Sequence, residues 1–283
     1  MRELRSQTKT QSVIAASLRS YHALSELRRR LPASVRLERG ALAGKTLAGA
    51  CPVCGQEVTN FEKFTDNLRE SGHCSSCGAS NRQRQMALML RRDLRLPLMG
   101  PLAPLAGCTI YNTEANGPVH TALAIHPAYI ASEFWGDKHT PGSVVNGIRN
   151  EDLQSLSFTT GSIDIVLSSD VLEHVPDAYR AHREIHRVLR RGGRHIFTAP
   201  FREARTDDVR AIPRRGKPVL LAPPLYHGDP VRPDQGVLVW RIFGYEMLTR
   251  LHSIGFSVRL HRLYVPACGI LGPGAIVFVA RKI

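Results

Sequence analysis

Residues 148–201 read IRNEDLQSLSFTTGSIDIVLSSDVLEHVPDAYRAHREIHRVLRRGGRHIFTAPF, and the folding of this stretch decides the class of the whole chain. The run IDIVLS at 163–168 is apolar, of strand length and bounded by polar turn residues. The segment PDAYRAHREIHRVLRRGG over 176–193 reads as a helix. Pro176 suits its first turn, Ile185, Val188 and Leu189 supply an apolar stripe, and Gly192-Gly193 stop it. A second strand follows at 194–199. Strand, helix and strand in direct succession are the repeat of a parallel sheet, because parallel neighbours need a crossover connection.

Outward from this unit, strand-like runs at 109–114, 128–133, 257–264 and 275–281 continue the rhythm, with a weaker run near 143–146. The expectation is an α/β fold over 107–283, doubly wound, with a mostly parallel sheet covered by helices on both faces. The proline-rich stretch 200–236 breaks the pattern and reads as an insertion over the ligand-binding edge of the sheet.

Upstream lies a different kind of sequence. Cys51-Pro-Val-Cys54 and Cys74-Ser-Ser-Cys77 stand nineteen residues apart, each followed by glycine, Gly55 and Gly78. Two such turns each present two thiolates on a tight knuckle, and four thiolates complete a tetrahedral Zn²⁺ shell with no open position, which makes the site structural. His73 adjoins the second knuckle as an alternative ligand, and a dithiol redox pair is the competing use of a CxxC turn. The module spans 46–82, and a connecting helix through Met86, Leu90 and Leu94 leads into the linker LPLMGPLAPLAG, the two together covering 83–106. Arg82 and Arg84 lie either on a solvated face of that helix or on a phosphate-binding surface. Cys108 and Cys268, at the edges of expected strands, read as small buried hydrophobes.

The formal charge of +14 is uneven: residues 1–45 hold ten Lys and Arg against three Glu. Ile14, Leu18, Tyr21, Leu24 and Leu31 recur at helical spacing beside Arg28-Arg29-Arg30, so this basic arm contains an amphipathic helix at about 10–31. Packing on the protein's own body, contact with RNA or an anionic surface, and targeting are three uses open to it. No apolar run reaches the roughly 20 residues of a membrane-spanning helix, and no secretory core is present, so a soluble cytoplasmic protein is expected.

In its order of acidic residue, strand with D-x-V, EHV turn, VLRRGG and strand, 148–201 resembles the type 11 branch of the class I methyltransferases, and 107–281 resembles that class as a whole. The resemblance implies a Rossmann-like sheet and S-adenosylmethionine as methyl donor. It places Glu114, Asn116 and Gly117 at the loop that meets the methionine moiety and Glu133, nineteen residues after Glu114, at the ribose hydroxyls. It places Asp152 and Leu153 against the adenine and brings Ser168, Ser169 and Asp170 to the end of the strand at 163–168. The family loop carries two or three glycines where this one has only Gly117, with Asn116 as a partial substitute tolerant of positive φ.

Methyl transfer from a sulfonium needs alignment more than acid catalysis, and a base matters only for a hydroxyl or protonated amine acceptor. His174, then His227, then Asp170 are the candidates for that base, with a backbone hydrogen bond as the alternative role of His174. Tyr226, His227 and Asp229 form a polar group in the insertion that is a candidate acceptor contact. The expected activity is methylation of a small molecule or saccharide. Two other readings stand beside it: an rRNA or tRNA methyltransferase gripping RNA through the arm and zinc module, and a cofactor-binding scaffold without catalysis. The acceptor atom and the oligomeric state leave no mark in the sequence.

Overall fold

The computed structural model describes residues 37–102, 107–228 and 236–283. The expected helix at 10–31, part of the linker and Asp229 lie outside these residues. The chain forms two compact units. Of the described residues, one contains 37–102, Asn116–Pro127 and Leu260–Val277; the other contains Gly107–Ala115, the described part of 128–259 and Phe278–Ile283.

In the first unit, β1 (Leu47–Gly49), β2 (Thr59–Glu62) and β3 (His73–Cys74) make a three-stranded antiparallel sheet. Helix α1 (Asn81–Asp93) follows, its start closed by a capping box in which Ser80 and Gln83 satisfy each other's exposed backbone groups. A short helix α2 (Gly117–Leu123) belongs to the same unit.

The large sheet is built from β4 (Ile110–Asn112), β5 (Tyr129–Glu133), β6 (Val144–Val145), β7 (Ile148–Asn150), β8 (Ile163–Ser169) and β9 (Leu189–Thr198), with two further strands from the C-terminal part of the chain. Between β9 and helix α4 (Glu246–Ile254) run six short strands: β10 (Asp208–Val209), β11 (Ala211–Arg214), β12 (Lys217–Leu220), β13 (Tyr226–His227), β14 (Val237–Leu238) and β15 (Arg241–Ile242). They pair in twos as β10–β15, β11–β12 and β13–β14, so the expected insertion is a set of hairpins. After α4 come β16 (Phe256–Arg262) and β17 (Ile276–Lys282), which complete an eight-stranded sheet of order β16-β17-β9-β8-β4-β5-β7-β6. The pairs β4–β5, β4–β8, β5–β7 and β8–β9 are parallel, while β17 runs antiparallel to β9 and β6 antiparallel to β7. This is the Rossmann-like, mostly parallel sheet expected from the sequence. Ile163, Ile165, Val166 and Leu167 of β8 are all buried, as suits a central strand covered on both faces.

Helix α3 (Ala178–Val188) is shorter than expected. Pro176 precedes its cap, Asp177, whose side chain accepts the Arg180 N–H. Ala178, Ala181, His182, Ile185 and Val188 form the buried stripe. Gly192 and Gly193 do not stop the helix but lie inside β9, where the pairing jumps from Ile163↔Leu189 to Ile165↔Arg194. Gly192 has φ +78°, and a Cβ on Gly193 would lie 2.8 Å from the Arg190 carbonyl oxygen. The glycine pair therefore builds a bulge in the strand, because only glycine accepts both the positive φ and the close backbone approach. Cys268 is fully buried as expected, but in a 3₁₀ turn (Pro266–Cys268), whereas Cys108 is only half-buried. Among the described residues no helix is long and apolar enough to cross a membrane.

The core under α3 contains two fully buried histidines. His195 donates to or accepts from Ser168 at 2.8 Å and stacks on Phe197, with centroids 4.4 Å apart; His182 packs against both rings. Burial, aided by the charge of Arg241, pushes His182 down to about 3, and burial holds His195 well below its ordinary range. Both imidazoles are neutral in the fold, whereas the unfolded chain protonates them below about pH 6.5. The unfolded state therefore binds more protons over the window from about 6.5 down toward 3, and stability is lost as pH falls through it. Each histidine contributes about 1.4 kcal/mol of loss per pH unit, and His182→Leu is expected to remove one such increment from the slope of urea-unfolding stability against pH.

Candidate active site and metal centre

Strand β4 pairs in parallel with β5 on one side and β8 on the other. The chain leaves β4 toward β5 and later returns to β8, so the strand order reverses at β4. In open α/β sheets ligands bind at the carboxyl ends of the strands flanking such a switch point. In the second unit, Glu114 and Ala115 follow β4, Glu133 ends β5, and Ser169 ends β8. Glu133 Oε1 accepts the Ala115 N–H at 2.9 Å, which ties the end of β5 to the loop after β4. Asn112 Nδ2 donates to the Glu114 carbonyl oxygen at 2.9 Å and orders the same loop. Ser169 is buried, and Asp170 beyond it takes a left-handed φ of +53°, its N–H bonded to the Thr198 carbonyl of β9.

The loop residues that follow belong to the first unit. Asn116 is the cap of α2 in an extended conformation, φ −145°, so it does not supply the positive φ expected of it. Gly117 does, at φ +79°, and a Cβ there would come within 3.3 Å of Gln83 Nε2. One glycine suffices because only one residue of the loop is left-handed. Pro118 in the first turn of α2 has no N–H, which reduces the backbone donors available at that helix start. Asp152 turns inward on its own loop, Oδ1 accepting the Gln154 N–H at 2.8 Å, and Leu153 is buried beside it.

His174 and His227, far apart in sequence, meet in the second unit: His227 Nδ1 lies 3.1 Å from His174 Nε2. His174 Nδ1 is 3.0 Å from the Leu238 carbonyl oxygen. A carbonyl only accepts, so Nδ1 carries the proton and Nε2 presents its lone pair. Glu173, which the sequence places beside His174 at the strand end without a role of its own, completes the group. Its Oε1 is 3.7 Å from His174 Nε2 and 3.6 Å from His227 Nδ1, and the side chain is fully buried. Burial pushes the Glu173 carboxyl up to about 7, the nearby His227 opposing and the charge of Asp170 adding to the rise. Only its place directly before His174 hinted at a role. The insertion does carry Tyr226 and His227 on β13, with the Tyr226 side chain more than half exposed.

The four cysteines of the first unit converge, with sulfurs all within 4.8 Å of one another. The two knuckles repeat one pattern. Cys51 N–H donates to the Gln56 carbonyl and Gly55 N–H to the Cys51 carbonyl; Cys74 N–H donates to Ala79 and Gly78 N–H to Cys74. Gly55 and Gly78 have φ of +73° and +74°. The Cys51 and Cys77 sulfurs are 3.8 Å apart, the edge of a tetrahedron with metal–sulfur bonds of about 2.3 Å. His73 stands outside the group, its ring bonded to the Gly78 carbonyl. A cavity of about 830 Å³ opens beside both knuckles, lined among others by Val53, Gln56, Ser76, Leu102, Pro118 and Ile125.

Arg84 is neither on a solvated face nor on a phosphate-binding surface: it is fully buried. It donates to the carbonyls of Ala79, Cys268 and Gly269, with its guanidinium 4.3 Å over the Phe61 ring. Arg91, also buried, donates to Pro52, Pro97 and Gly100. Arg82 bonds the Glu70 carboxylate.

Residues 106–197 match the methyltransferase domain family. A stretch of 44 residues is 56% identical to an uncharacterized methyltransferase of Mycobacterium sp. strain KMS, and equally to one of strain JLS, covering 16% of this chain and 18% of each relative. The chain thus spans less than a fifth of the length of the curated relatives it matches. Among solved structures, it is similar to an S-adenosylmethionine-dependent methyltransferase from Mesorhizobium loti, at 18% identity over 72% of this chain and all of that one, with TM-score 0.43. It is similar also to the 1,6-didemethyltoxoflavin-N1-methyltransferase of Burkholderia thailandensis, at 18% identity over 71% and 78% of the two chains, with TM-score 0.39.

Because Arg84 ties three buried carbonyls, Arg84→Ala is expected to lower unfolding stability by roughly 3–5 kcal/mol, measured by urea denaturation. A filter-binding assay with RNA at low salt should show no loss of affinity beyond that caused by unfolding.

Proposed function

We propose that this protein, whose residues 106–197 match the methyltransferase domain family, transfers a methyl group from S-adenosylmethionine to a small-molecule or saccharide acceptor. The observation that carries this reading is the convergence of Glu114, Ala115, Glu133, Ser169 and Asp170 at the strand-order reversal beside β4. The donor supplies a methyl on a sulfonium: the bond to the acceptor forms as the methyl–sulfur bond breaks, and sulfur keeps the electron pair.

Glu133 is the residue to hold the two ribose hydroxyls, since a carboxylate has about four acceptor sites and the Ala115 N–H occupies one. By the resemblance, Glu114 is the residue for the methionine end and Asp152 with buried Leu153 for the adenine. Ser169 lies at the centre of the strand ends. The proton of a hydroxyl or amine acceptor leaves toward the cluster of His174 and His227, with Asp170 contributing negative charge. The RNA-methylating reading loses one of its supports, because Arg84, beside the zinc module, is spent on buried carbonyls.

The four-cysteine group holds structural Zn²⁺ in this reading. Two buried guanidiniums, Arg84 and Arg91, bond backbone carbonyls, and neutral carbonyls leave their charge uncompensated. Four thiolates around Zn²⁺ carry two net negative charges and supply that compensation. This donor set fits zinc by softness, number and spacing.

Calorimetric titration with S-adenosylmethionine and S-adenosylhomocysteine should show binding by the intact protein. Glu133→Ala should weaken it about tenfold to a hundredfold, the worth of a charged hydrogen bond; absence of binding to the intact protein would overturn the reading. Zinc determined by elemental analysis should fall by one equivalent in Cys74→Ser/Cys77→Ser, with loss of cooperative unfolding of the first unit.

A further inference from the structure

We propose that Glu173, His174 and His227 form a second, open metal site for a zinc-like divalent cation, distinct from the four-cysteine site. The three ligand atoms are separated by 3.1, 3.6 and 3.7 Å. A tetrahedral shell with bonds of 2.0–2.2 Å spaces its ligand atoms about 3.3–3.6 Å apart, so the triangle has the dimensions of one tetrahedral face. The points equidistant from these three atoms lie about 2.0 Å away in their own plane and about 2.1 Å away at the tetrahedral position about 0.7 Å above it, the length of a zinc–nitrogen or zinc–oxygen bond.

Three further features fit a cation there. The Leu238 carbonyl fixes His174 in the tautomer that turns the Nε2 lone pair toward the other two ligands, the usual support of a ligating imidazole. Glu173 is fully buried, and neither of its carboxylate oxygens has a hydrogen-bond partner among the described residues. Such a group is costly unless a charge or a metal meets it. The Glu173 backbone is held by the Trp240 N–H donating to its carbonyl at 2.7 Å, so the ligand frame is rigid on the strand-end side. Two imidazoles and one carboxylate are the donor set of catalytic zinc, with the fourth position open.

The cluster follows Asp170 at the end of β8, on the edge where ligands bind. If the methyl-transfer reading is right, on which this use rests, the open position takes the acceptor's hydroxyl oxygen. There the ligating nitrogens have no lone pair left for a proton, so the metal route replaces the histidine one. The cation lowers the pKa of the bound hydroxyl, as it does for bound water, and the proton leaves to solvent before the oxygen attacks the methyl.

The test is equilibrium dialysis of the full chain, its cysteine site loaded with zinc, against cobalt(II). One further equivalent is expected, with the visible bands of a nitrogen and oxygen site and no thiolate charge-transfer band. His227→Ala, at a partly exposed hairpin position, should weaken that uptake at least about tenfold while leaving circular dichroism and cysteine-bound zinc unchanged. Glu173→Gln should do the same. Uptake of no further cobalt by the folded protein, or equal uptake by the protein and both folded variants, would overturn the site. Calorimetry with S-adenosylmethionine on the same samples separates the two readings, since cobalt uptake without donor binding sinks methyl transfer and leaves the metal site standing.

Discussion

The parallel pairing of β4 with both β5 and β8 is the constraint on which the second unit depends. Hydrogen bonding on both edges of β4 puts β5 and β8 on opposite sides of it, and the connections that lead away to each side leave a crevice at the carboxyl end. Three acidic residues from separate elements, Glu114, Glu133 and Asp170, reach that end because of the topology and not because of any local motif. The bulge at Gly192 and Gly193 serves the same arrangement: it resets the register between β8 and β9, after which Ser168 and Ser169 pair with Phe197 and Thr198.

In the first unit the corresponding constraint is electrostatic. The unit has a small three-stranded sheet and two helices, and the buried side of α1 holds Arg84 and Arg91 beside Met86, Leu88 and Leu90. Each guanidinium grips the backbone near one knuckle, Arg91 at Pro52 and Arg84 at Ala79. These guanidinium donors are turned inward, where they tie the backbone beside the cysteine group. Helix, knuckles and arginines form one interdependent piece, which a metal charge would complete.

The histidines divide by environment. His182 and His195 sit among aromatic rings and are neutral core residues, while His174 and His227 lie beside the buried Glu173 carboxylate. All four occur in a chain rich in histidine, with no spacing that sets one pair apart. Burial against rings removes a proton, and burial beside a carboxylate invites a proton or a cation; the same side chain is a packing element in one place and a ligand candidate in the other.

From the sequence alone, the run IDIVLS, the stripe of Ile185, Val188 and Leu189 and the two CxxC turns determined the α/β class, the strand succession and the cysteine grouping. They are local signals, carried by hydrophobic period and by turns that glycine makes cheap. Tertiary structure decided the rest: that Gly192-Gly193 bend a strand, that Arg84 is interior, that Gly117 alone is left-handed at its loop, and that Glu173 joins His174 to a histidine fifty-three residues away. These depend on which backbone or side chain arrives from a distant part of the chain. Hydrogen bonding and desolvation act on neighbours in space, and periodicity carries no record of them.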